Sequence, residues 1–162
     1  MARMHRPGSV APAVAGRAAA ELPTIPAHVM PHRSAHELLA LARRGLIEAA
    51  ETRSDGQRYA TAHLAALRAA AAVLVSRARP TPARRRRPTN VWALLSAVAP
   101  ELSQWADRFA AGAAKRSAAE AGLRVVSTVE ADDLRADAER FVAVVELSLG
   151  LPHQPLITAR AS

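Results

Sequence analysis

Between Ala60 and Leu74 the residues Ala60, Leu64, Leu67, Ala71 and Leu74 return at steps of four, three, four and three. That spacing draws one stripe along an α-helix but scatters over both faces of a strand. The stretch is read as a helix packed in a bundle, from about Asp55 or Gln57 to Ser76 or Arg77. Pro80 and Pro82 stop it, because proline has no N–H to donate and clashes with the preceding turn. Leu134, Ala138, Phe141 and Val145 repeat the four-three-four step in a last helix that Gly150 and Pro152 end.

Both ends of the array carry start signals. Ser34-Ala35-His36-Glu37 and Ser127-Thr128-Val129-Glu130 are capping boxes, in which serine and glutamate satisfy each other's backbone N–H groups. The first opens a helix with Leu39, Ala42, Leu46 and Ala49 on one face, ending near the Ser54-Asp55-Gly56 turn. Between the second and last helices, Thr89 or Asn90 caps a segment with Val91, Leu94, Leu95 and Val98 inward. Pro100 kinks or splits it, and Leu102, Trp105, Phe109 and Gly112 continue at helical spacing toward Gly122. Four amphipathic segments with short connections predict an all-α, four-helix up-and-down bundle over residues 34–151. Residues 1–33, interrupted by five prolines, are read as a disordered tail, and 152–162 as a frayed one.

Half the residues are apolar but only 3% are aromatic, so the core must be built from Ala, Leu and Val. The chain has no cysteine, which excludes disulfides, thiol catalysis and Cys-based zinc sites. The longest apolar run, Ala69 to Val75, is far short of the roughly 20 residues of a membrane span. No secretion signal is read at the N-terminus, and the cytoplasm is the expected location.

The charge is uneven. Arg77, Arg79, Arg84, Arg85, Arg86 and Arg87 fall within eleven residues that contain no acid; without them the formal charge drops from +8 to +2. Such a segment suits an anionic partner such as nucleic acid, although arginine-for-lysine bias is chain-wide, Lys115 being the only lysine. Trp105 and Phe109 lie on the core stripe and are assigned to packing. His28, His32 and His36 are spaced by four, but Pro31 interrupts them and no carboxylate completes a ligand set, so no metal is assigned. Arg58 and His63 stand five apart. Imidazole titrates near neutrality and can act as acid or base, but arginine is so frequent that about two matches to an Arg-x4–6-His spacing are expected by chance.

The run Arg58-Tyr59-Ala60-Thr61-Ala62-His63-Leu64-Ala65-Ala66-Leu67, the arginine-rich loop after it, Asn90-Val91-Trp92, Ala111 to Arg116 and the acidic start Glu130-Ala131-Asp132-Asp133-Leu134 together resemble HEPN (higher-eukaryote and prokaryote nucleotide-binding) domains. The likeness is to small actinobacterial members and spans about residues 35–150. It implies a four-helix bundle that often forms homodimers. Many members are metal-independent ribonucleases with an Arg-x4–6-His motif near the start of the last helix, completed across two subunits. Here no histidine occurs from Val91 to Gly150, and Arg58 to His63 on the second helix is the one match. The expected function is a non-catalytic HEPN-like module that binds RNA, another nucleic acid or a protein partner through Arg77, Arg79 and Arg84 to Arg87. The alternatives are a metal-independent endoribonuclease using Arg58 and His63, and a structural or antitoxin-like dimerisation module. No cofactor, metal or membrane is expected.

Overall fold

A computed structural model describes residues 22–82 and 90–151. The long helices are α1 (Ala35–Glu51), α2 (Asp55–Arg77), α4 (Ser103–Glu120) and α5 (Thr128–Ser148), with a short α3 (Val91–Val98) between α2 and α4. The result is an all-α bundle. Both capping boxes form: in each, the serine hydroxyl accepts from the glutamate N–H at 3.1 Å and the glutamate carboxylate accepts from the serine N–H at 2.8 Å. Gly122 and Gly150 have φ of 82° and 69°, the left-handed region where glycine carries no Cβ penalty. Each closes its helix with the paired bonds of a Schellman motif; after α4 these run from Gly122 N–H to Ala119 and from Leu123 N–H to Ala118.

The third arm is not one bent rod. Along a continuous helix Trp92 and Phe109 would lie ~25 Å apart at 1.5 Å per residue. Their rings instead stack with centroids 5.2 Å apart. The chain breaks at Ala99, a 3-10 turn forms over Pro100–Leu102, and α4 doubles back beside α3. Proline at the first position of that turn has no bond to lose there. Trp92, Phe109 and Phe141 close the aromatic part of the core.

The centre of the molecule is α2, which α1, α3, α4 and α5 all touch. By length and composition it could cross a membrane, yet most of that stretch is buried inside the bundle. Ala62, Ala65, Ala66, Ala69, Ala70 and Ala72 are fully buried, whereas Ala60, Leu64, Leu67 and Ala71 of the seam that located the helix are only half-buried. Small side chains let neighbouring helices come close, so the alanine faces meet other helices and the leucines fill the flanks. Gly45 of α1 shows the closeness: a Cβ there would sit 3.4 Å from that of Ala65.

The N-terminal boundary needs correction. Residues 22–33 are part of the fold rather than a tail. Thr24–Pro26 (β1) pairs in parallel with Arg79–Thr81 (β2) just after α2, and a 3-10 turn over Ala27–Val29 leads on to α1. Ile25, 1% exposed, is the reason: it fills a second small core with Leu74, Ala78 and Val98. One buried isoleucine among prolines has no periodicity to announce it. The remaining tail segments, 1–21 and 152–162, lie outside the described residues.

Candidate nucleic-acid interface and the Arg58–His63 pair

Ser54 caps α2 by accepting from the Gln57 N–H. One turn later Arg58 reaches back over that cap. Its guanidinium donates to the Thr52 carbonyl at 3.2 Å, the Arg53 carbonyl at 3.3 Å, and one oxygen each of Asp55 and Asp132 at 3.1 Å. Asp55 in turn accepts from the Thr128 hydroxyl at 2.9 Å. The planar fork suits several acceptors at once, and here it joins the α1–α2 turn to the first turn of α5.

Five residues on, a helix has turned by ~140° relative to the same face, and His63 points into the core with no exposed surface. Its Nε2 lies 2.8 Å from the Phe109 carbonyl of α4. A carbonyl only accepts, so Nε2 carries the proton and Nδ1 is bare; Nδ1 has no hydrogen-bond partner among the described residues. The ring makes T-shaped contacts with Trp92 and Phe109, at 5.7 and 5.9 Å between centroids. Burial, the largest influence, pushes its pKa below the usual histidine value, so the neutral form is favoured. One turn before it, the hydroxyl of Tyr59 donates to the Gly112 carbonyl at 3.5 Å, and a Cβ on Gly112 would come within 2.5 Å of that hydroxyl. The helix pair Tyr59/His63 against Phe109/Gly112 is thus a packing unit. The structure does not bring Arg58 and His63 to one open surface of the chain.

Of the basic segment, Arg77 is paired with Glu101 of the turn after α3, which holds that carboxyl below its usual range. Arg79 is exposed on β2. Arg84, Arg85, Arg86 and Arg87 lie outside the described residues. His28, His32 and His36 are exposed, and no group of three ligands able to hold a metal occurs among the described residues.

Two buried carboxylates carry no signal of their partners in the sequence. Glu146, 1% exposed, receives Arg43 of α1 at 2.6 Å, and Asp137, 4% exposed, receives Arg108 and Arg140. The available signal was a charge on the apolar side of α5, beside Val142 and Val145; the partner, 103 residues away, has none. At the opposite end from β2 lies an open cleft of about 900 Å³ between the start of α2 and the α4–α5 connection, lined by Gln57, Thr61, Leu64, Glu120, Leu123 and Arg124. Leu123, Val125 and Val129 stand exposed on that connection and the α5 start.

Compared with known proteins, residues 49–146 match a family model described as SAV_6107-like HEPN. No curated protein and no solved structure matches the chain.

Proposed function

The chain belongs to the HEPN superfamily, with a domain of the SAV_6107-like kind, and from that premise we propose that it binds nucleic acid through its basic segment without cleaving it. The observation that carries the non-catalytic half is the burial of His63. An acid–base group has to reach the proton it transfers, and this imidazole touches a carbonyl, two aromatic rings and no solvent. Arg58 has four acceptors inside the chain and so is already a structural clamp. The binding half rests on charge: six arginines in eleven residues with no acid between them, starting at the C-terminal end of α2. Arginine forks fit phosphate oxygens in pairs and read no sequence. The test is incubation of single-stranded RNA and duplex DNA with the protein at low salt in EDTA. Retardation without cleavage is expected. No retardation overturns the binding reading; cleavage that disappears in His63→Ala overturns the non-catalytic one.

A second reading, self-association, is supported by the patch around Leu123, Val125 and Val129. Its apolar centre carries an exposed cation, Arg124, and an exposed anion, Asp133, with no ion pair to either among the described residues. The proposed occupant is a second copy of this chain, with Arg124 of one copy set against Asp133 of the other, the reciprocal pairing that an isologous interface requires. Sedimentation velocity should then show a dimer that Val129→Asp dissociates; a monomer at high concentration refutes this reading.

A further inference from the structure

The buried carboxylate of Asp137 gathers arginines from two helices. Arg108 of α4 donates from Nε to one of its oxygens, and Arg140, one turn on along α5, donates from Nη1 to the other at 3.1 Å. One cation would neutralise Asp137; two arginines against one aspartate leave a positive charge over. Both side chains stay on the surface, 59% and 68% exposed. Their remaining N–H groups meet no acceptor among the described residues. The acids nearby do not cancel them: Asp107 points ~100° away round α4, and Glu139 is paired with Arg135. Trp105 stands one turn before Arg108, on the neighbouring surface of α4. Its ring lies against Phe141, the residue after Arg140, at 5.6 Å between centroids, and against Phe109 at 6.2 Å. Trp92 is buried, whereas Trp105 is only partly so.

We propose that this face of α4 and α5 is a binding site for single-stranded nucleic acid, in which Trp105 stacks on an unpaired base and Arg108 and Arg140 together hold a phosphate beside it. The inference rests on the reading that the chain binds nucleic acid, and places a second site apart from the basic segment. Two guanidiniums fixed on the two oxygens of one carboxylate have their outward donors set before a ligand arrives, and planar forks suit phosphate oxygens. An indole with open surface beside them supplies the stacking platform that unpaired bases use. The basic segment meets phosphates of either form, but the bases of a duplex are stacked on each other. The site therefore adds affinity for single strands alone.

The experiment compares a single-stranded RNA with its duplex across a salt series, using the full chain. Anisotropy of labelled RNA gives affinity, and indole emission with unlabelled RNA reports stacking. Wild-type emission should be quenched by the strand and not by the duplex. Trp105→Leu should weaken strand binding by about fivefold or more and leave duplex binding unchanged; Trp105→Phe, which keeps an aromatic face, should restore most of it. Arg108→Gln/Arg140→Gln should flatten the slope of log affinity against log salt by about 0.7 on the strand, one phosphate's worth, with the duplex slope unchanged and helical circular dichroism retained. If the double variant does not fold, Arg140→Gln, which leaves Arg108 on Asp137, is read in its place. Emission that does not respond to the strand, a Trp105→Leu chain that binds it as wild type does, or an arginine variant with the wild-type slope refutes the site while leaving the basic-segment reading standing. Absence of any wild-type binding to either form at low salt refutes both.

Discussion

The Phe109 carbonyl and the His63 imidazole, 2.8 Å apart, join α4 to α2 through a bond in which Nε2–H donates to the carbonyl. Protonation would fall on Nδ1, which is buried and has no acceptor among the described residues. Burial lowers the folded-state pKa below the ordinary value near 6.5. Between those two values the unfolded chain binds more protons than the native one, so stability rises with pH across that window. His63 therefore leaves the fold at full stability above about pH 6.5 and costs it stability as pH falls below that. Urea midpoints at pH 8.0 and 5.5 should show this drop in wild type and a smaller one in His63→Gln. An equal drop in both would remove His63 as the cause.

Gly112 is predicted to be intolerant of alanine. The helix would gain up to about 1 kcal/mol from the more restricted residue, but the new Cβ meets the Tyr59 hydroxyl at 2.5 Å in a packed interior. Overpacking of this kind costs about 1–3 kcal/mol. Gly112→Ala should lower stability, and Tyr59→Phe/Gly112→Ala should recover much of the loss. A single variant as stable as wild type would show that the tyrosine moves freely.

Arg58→Ala should weaken the fold rather than an activity. It leaves two backbone carbonyls and two carboxylates without their shared donor, a loss of about 1–3 kcal/mol. Arg58→Lys should restore only part, since an ammonium cannot span the same acceptors. Thermal melts check this. A ribonuclease activity abolished by Arg58→Ala at unchanged stability would contradict the structural role.

Helix starts and stops were legible because they are local chemistry. Ser34 with Glu37, Ser127 with Glu130, and the glycines 122 and 150 announce themselves within a few residues. Burial on α2 was less legible. A leucine stripe marks a helix surrounded on one side, whereas α2 is surrounded on several, and alanines carry its closest contacts. Pro100 signalled a break but not its angle, which is set by Trp92 stacking on Phe109. Ile25 was invisible because its partners Leu74 and Val98 lie about fifty and seventy residues downstream. For the site, the arginine run was plain in composition. The fate of His63 was not, since the same residue at the same spacing serves equally as a core donor or as an acid–base group.

Binding of nucleic-acid phosphates by the arginine run is tested most directly by the salt dependence of affinity. If four arginines meet phosphates, log affinity against log salt at pH 8.0 should have a slope contribution of about −3 to −4. Replacing Arg84, Arg85, Arg86 and Arg87 by serine should remove most of that slope while leaving the melting temperature nearly unchanged, since four consecutive arginines bring no apolar side chain to a core. A quadruple variant that binds RNA and duplex DNA as wild type does, with the same slope, would contradict the account.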